Sequence, residues 1–185
     1  WNDLTIPELI GLGVGILLLF GLWEARQAEP LVPFSLFSQR NYTVMNWVGA
    51  VVAFGMLGLF LPITIYLQSV LGLSALQAGL TVMPMALTSL VVAPFSGRLS
   101  DRVGGKYILM FGLLLFAAGM GMIVRLATPT SDWSTFLLPL IVAGFGQGCI
   151  FAPASTVAMR DITPMMAGAA SGVLNTTRQL GSVIG

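Results

Sequence analysis

Residues 41–97 read NYTVMNWVGAVVAFGMLGLFLPITIYLQSVLGLSALQAGLTVMPMALTSLVVAPFSG, 57 residues without one Asp, Glu, Lys or Arg. One helix of that length would reach about 86 Å at 1.5 Å per residue. That is almost three times the ~30 Å hydrocarbon core of a bilayer. The run therefore holds two membrane spans, with the break at Gln68–Gln77, where Gln, Ser and Gly accumulate. Tyr107–Val124 and Trp133–Met159 are equally free of charge. Over the 185 residues 56% are hydrophobic and only 8% charged, with a mean hydropathy of +0.92. A soluble domain carries about 25% charged residues, so these runs could not be solvated and the chain reads as an integral membrane protein.

Backbone facing lipid must bond internally, which leaves helices or a closed barrel. Barrel strands alternate polar and apolar residues, and YILMFGLLLFAAGMGMIV (107–124) does not. The expected fold is all-α, a polytopic transmembrane helical bundle. Its six spans fall at about Pro7–Trp23, Tyr42–Tyr66, Ala78–Gly97, Tyr107–Val124 and Phe136–Met159, with the last opening near Ala167. The chain begins at Trp1, and its last apolar run is still in progress at Gly185. It is therefore expected to be an internal, incomplete piece of a longer protein.

Arg26, Arg40, Arg98, Arg102, Lys106 and Arg160 follow spans one, three and five, while the opposite loops carry only Arg125. Positive charge marks the cytoplasmic side, so the first span is expected to run outside to inside in a multi-pass plasma-membrane protein. Net charge +1 without a basic cluster excludes a nucleic-acid partner. With one cysteine and no histidine, neither a Cys/His metal site nor a histidine general base can be built. No nucleophile–base pair or paired carboxylates occur within the spans, so no enzyme and no cofactor are expected.

Gly11 and Gly15, and Gly144 and Gly148, have the spacing that lets membrane helices approach closely. Pro62, Pro84, Pro94, Pro139 and Pro153 each remove a backbone donor within a span and favour a kink. Met and Phe residues are expected mainly to pack. Arg178 lies about 15 Å beyond Gly168 along the helix axis, near the midplane, where an Arg costs about 2.5–3.5 kcal/mol. It must face protein or water. Ser171, Asn175, Arg178 and Ser182 recur at helical spacing, with Gln179 alongside. This stripe is a candidate substrate path or a structural lock, and Gln147 is a further polar candidate; Asn46, Tyr66 and Gln68 are weaker ones.

The sharpest local pattern is Gly97-Arg98-Leu99-Ser100-Asp101-Arg102-Val103-Gly104-Gly105-Lys106. Gly104 and Gly105 permit a tight hairpin between antiparallel spans, and Asp101 precedes the fourth span, whose N-terminal dipole favours an acid. Tyr107 stands where a P-loop needs Ser or Thr, which excludes a phosphate loop. Gly97, Leu99, Asp101, Arg102, Gly104 and Lys106 resemble the signature loop of the major facilitator superfamily. Glu29-Pro-Leu-Val-Pro33, Gly144-Phe-Gly-Gln-Gly148 with Phe151 and Pro153, and Ala167–Gly181 are similar to its 14-helix drug:proton antiporter branch. One departure is Gly105, where many copies carry a second basic residue.

The resemblance implies an extra central helix at 1–23, a cytoplasmic linker at 24–41 and a C-terminal transmembrane half at 42–185, its fifth helix truncated. It also implies a conformational-switch loop at Gly97, Asp101, Arg102, Gly104, Gly105 and Lys106. The implied function is secondary active transport by alternating access, with proton-coupled efflux of hydrophobic or amphipathic compounds. A carrier for one small solute, or a membrane-embedded enzyme fragment, is the alternative. Its partners would be the bilayer, a small-molecule substrate, protons and the missing N-terminal half, which would hold the coupling carboxylate.

Overall fold

The computed structural model describes residues 5–24, 26–27 and 33–185. Six α-helices follow one another: α1 (Ile6–Glu24), α2 (Arg40–Ser69), α3 (Ala75–Val103), α4 (Gly105–Leu126), α5 (Leu137–Met159) and α6 (Ala167–Ile184). Short 3-10 turns occupy Phe34–Ser38, Trp133–Phe136 and Pro164–Met166, and no strand occurs among the described residues. Glu29–Val32, the body of the expected linker motif, lies outside the described residues. Five helices are long and apolar enough to cross a membrane by length and composition. Helix α6 is not among them, because Asn175, Arg178 and Gln179 interrupt its 18 residues.

The break in the charge-free run is a capped helix start. Ser74 Oγ accepts from the Gln77 backbone N–H at 3.3 Å, and Gln77 Oε1 accepts from the Ser74 N–H at 2.9 Å. The S-x-x-Q spacing that produces this reciprocal cap is visible in the sequence. Asp132 caps the turn at Trp133–Phe136 from one side, accepting from the Trp133 N–H at 2.8 Å.

Helix α5 sits in the middle, and its glycines explain how. A Cβ on Gly144 would run into the backbone of Met85, and one on Gly148 would lie 2.9 Å from Val92 Cβ, both on α3. On the opposite side, a Cβ on Gly146 would strike the Phe116 N–H of α4. Helix α4 answers with Gly112 and Gly119, where a Cβ would come within 2.8 Å of Cys149 Cβ and 2.6 Å of Ala143 N. Ser96 Oγ closes the α3–α5 contact by donating to Gly148 O at 2.6 Å. Backbone approach of this kind is how membrane helices gain dispersion energy where lipid is as apolar as protein.

The other glycine pair behaves differently. Gly11 and Gly15 have nothing within 4 Å, and α1 is exposed along nearly its whole length. Spacing alone did not distinguish the two pairs. Pro62, Pro84, Pro94 and Pro153 lie inside helices as expected. Pro139 instead occupies the first turn of α5, where its missing donor has no intrahelical partner to lose.

Gly146→Ala should destabilise the bundle by about 1–3 kcal/mol through overpacking. Gly121→Ala, with nothing within 4 Å of its Cβ position, should be neutral or slightly stabilising. Thermal unfolding in one detergent checks both.

Candidate functional site

The signature stretch is not a loop of several residues. Helix α3 continues to Val103, α4 begins at Gly105, and Gly104 alone makes the turn at φ +95° and ψ +130°. Only Gly104 therefore needs glycine's backbone freedom. Gly105 is needed for a different reason: its Cβ would lie 2.6 Å from Val157 Cγ2 on α5 and 2.8 Å from Ser100 Oγ. A larger residue there does not fit this packing, which accounts for the missing second basic residue. Asp101 lies in the last turn of α3, not in a free segment ahead of α4. Asp101, Arg102 and Gly104 are exposed, whereas Ser100 is buried with no partner for its hydroxyl.

Arg178 projects from α6 into the junction of α2, α5 and α6. Its Nη2 donates to Ser155 Oγ at 3.4 Å, and its guanidinium carbon stands 5.3 Å from the centre of the Phe151 ring. The stem passes Gly49 of α2, where a Cβ would be 3.3 Å from both Cγ and Nε. Nε is buried without a partner, and so is Oδ1 of Asn46, one turn earlier on α2. Asn46 itself is 4% exposed, its Nδ2 bonded to Tyr42 O at 3.1 Å. Helical side chains lean toward the helix N-terminus, so the Arg178 head sits nearer the Ala167 end of α6 than its Cα. Ser155 is one turn from the end of α5. The charge is therefore displaced from its Cα toward the α5–α6 connection.

The residues of the polar stripe differ in their contacts. Ser171 and Ser182 hydroxyls bond back to Gly168 O at 2.9 Å and Gln179 O at 2.8 Å within their own helix. Ser171, Asn175 and Gln179 are exposed, beside the face formed by Ala170, Leu174 and Gly181 that packs on α2. Arg178 alone turns into the bundle. Gln147 belongs elsewhere, lining a cavity of about 490 Å³ between α2, α3 and α5 with Met56, Phe60, Met85 and Ser89. Its Nε2 donates to Met56 Sδ at 3.7 Å. Gln147, Phe151 and Ser155 are four residues apart, so one face of α5 connects this cavity to Arg178. Phe151 and Ser155 were missed as partners of Arg178, although their spacing from Gln147 would have signalled a shared face. Among the described residues no group of three or more His, Cys, Asp or Glu is placed to hold a metal ion.

A family model described as Major Facilitator Superfamily matches residues 9–185. An uncharacterised MFS-type transporter of Mycobacterium tuberculosis is 38% identical, the match covering all of this chain and 32% of that protein. A puromycin resistance protein of Streptomyces alboniger is 35% identical, over the whole chain and 37% of its own length. A multidrug resistance protein B homolog of M. tuberculosis is 30% identical, over the whole chain and 34% of its own. The chain thus spans about a third of the length of these curated relatives.

Gly105→Arg, which introduces the second basic residue, should force Val157 and the α3–α4 turn off α5 and cost about 1–3 kcal/mol. A lower unfolding temperature for this variant than for Arg102→Ala, on an exposed side chain, is the expected result.

Proposed function

The chain belongs to the major facilitator superfamily, and on that premise we infer that it serves proton-coupled efflux of hydrophobic or amphipathic compounds by alternating access. The carrying observation is the cavity beside Gln147. Its walls are methionine, phenylalanine and aliphatic side chains, with one amide and one hydroxyl to orient a ligand. Adaptable thioethers suit ligands of varied shape, and few polar groups suit ligands of varied chemistry. That favours a broad range of compounds over one small polar solute. Relatives named for multidrug and puromycin resistance support the same reading.

In this proposal residues 42–185 form most of a C-terminal half, residues 1–23 an extra central helix and residues 24–41 a cytoplasmic linker. Gly97, Asp101, Arg102, Gly104, Gly105 and Lys106 act as the conformational-switch turn. Gln147 and Arg178 border the substrate path, with Ser171, Asn175 and Gln179 toward the partner half. Among the described helices, acids lie only at helix ends, as Glu8, Glu24 and Asp101. The proton-coupling carboxylate is accordingly assigned to the other half, and the basic turns to the cytoplasm of a plasma-membrane protein.

Vesicles carrying the full-length protein should move puromycin when a pH gradient is imposed, and dissipating the gradient should stop them. Transport unchanged by the gradient would sink proton coupling. Arg178→Ala should weaken puromycin binding, with partial rescue by Lys, which lacks the planar donor fork. Asp101→Asn should bind normally and turn over slowly, because it shifts the balance between states. The reverse pattern would make Arg178 only a lock.

Topology is checked by single cysteines in a Cys149→Ala background. Ser38, Val103 and Thr163 should label from the cytoplasm, and Leu76 and Thr130 from outside. All five positions are exposed, whereas Ser100 is buried.

A further inference from the structure

The helix contacts fall into two kinds. Within α3, α4 and α5 the backbones touch at Gly112, Gly119, Gly144, Gly146 and Gly148. Within the pair α2 and α6 they touch as well, where Gly181 meets the Ala50 backbone and Gly185 meets Phe54. Tyr42 reinforces this pair by donating to Ala170 O at 2.9 Å. Between the pair and the trio the contact is by side chains, such as Met45 and Val52 with Phe116 and Ile150, and no glycine brings the two backbones together among the described residues. Open grooves of about 490, 410 and 360 Å³ run along α2 beside its neighbours α3, α4 and α5. A smaller one of about 100 Å³ is walled by Met56, Met85 and Met120. Gly55 of α2 has nothing within 4 Å.

The outer end of α2 is held. Leu67 and Phe136 are fully buried, Tyr66 meets Phe136 edge-on at 5.8 Å, and its hydroxyl donates to Thr128 O. Just inward of this anchor stands Pro62, which leaves the Gly58 carbonyl without its helical donor. The inner end of α2 is tied instead to the α5–α6 connection, Asn41 Nδ2 donating to Asp161 Oδ2 at 2.7 Å. Inward of Pro62, two weak polar contacts cross the seam between the pair and α5. They are Gln147 to Met56 at 3.7 Å and Arg178 to Ser155 at 3.4 Å.

We propose that α2 and α6 swing as one body against the α3–α4–α5 trio, bending at Gly58–Pro62, with Arg178 as a two-position tie across the seam. In the position seen here the Arg178 head rests on Ser155 and Phe151 of the trio, while its Nε and the Asn46 Oδ1 are both unpaired. Swinging the pair away breaks the long Ser155 bond and lets Nε–H donate to Asn46 Oδ1 within the pair. One orphan donor and one orphan acceptor satisfy each other, which offsets the lost contact in a low-dielectric setting. Methionines line the seam because thioether side chains refill changing gaps with little strain. This motion lies inside one half of the transporter and goes beyond the alternation of two halves.

The test is pulsed-dipolar spectroscopy on the full-length, Cys149→Ala protein in lipid nanodiscs, with spin-label pairs at Gln39–Met165, Gln39–Val103 and Val103–Thr156. At acidic and alkaline pH the first and third pairs should each give one unchanged distance. The second should give two distances whose populations change. Ser155→Ala should at least double the population ratio toward the swung position, and Asn46→Ala should move it the other way. Pro62→Ala should collapse the second pair to one distance. A single narrow distance for Gln39–Val103 in every condition overturns the swing, as does an equal change at Gln39–Met165. Populations indifferent to both Ser155→Ala and Asn46→Ala overturn the role of Arg178. A protein that still exports puromycin while Gln39–Val103 stays fixed loses this device and keeps the proposed function. One whose pair swings without transport does the reverse.

Discussion

Helix α5 can occupy the centre of the bundle only because Gly144, Gly146 and Gly148 lack the atoms that would keep α3 and α4 away. In lipid, burying an apolar side chain gains little over leaving it among acyl chains. Close backbone approach is the remaining source of attraction, and any added methyl group at these positions removes it. The central position of α5 then decides what else can be near it. Its third face, carrying Gln147, Phe151 and Ser155, is left for α2 and α6.

The polar chemistry of the bundle collects on that face. Gln147 borders an apolar cavity, and one turn on, Phe151 begins the surface on which the Arg178 guanidinium rests. An arginine half-buried among apolar helices needs relief from the low dielectric, and among the described residues it receives a ring face and one long hydrogen bond. Gly49 admits its stem.

The α3–α4 turn shows how two adjacent glycines come to do separate work. Gly104 adopts a backbone conformation open to few side chains, and Gly105 gives way to Val157. Together they reduce the connection to one residue and set α3 and α4 rigidly against α5. The signature acid therefore stands on a helix end, where its position follows the whole trio.

The sequence by itself determined the helical class, the five apolar spans and a glycine turn within Gly104–Gly105, because each depends on local hydropathy, charge or backbone freedom. That α3 runs on to Val103 and Gly104 alone turns was decided by packing on α5. The end of α2 at Ser69 and the start of α3 at Ala75 fall inside the Gln68–Gln77 break read from composition. Tertiary structure alone decided which glycines pack, why Pro139 does not kink, that Ser171 and Ser182 bond their own helix, and that Arg178 finds Ser155 and Phe151. The reason is physical. In water the apolar face of a helix declares the inside of a protein, but in a membrane both the lipid-facing and the buried sides are apolar. Gly15 and Gly148 then look alike along the chain, and only the arrival of a neighbouring backbone separates them.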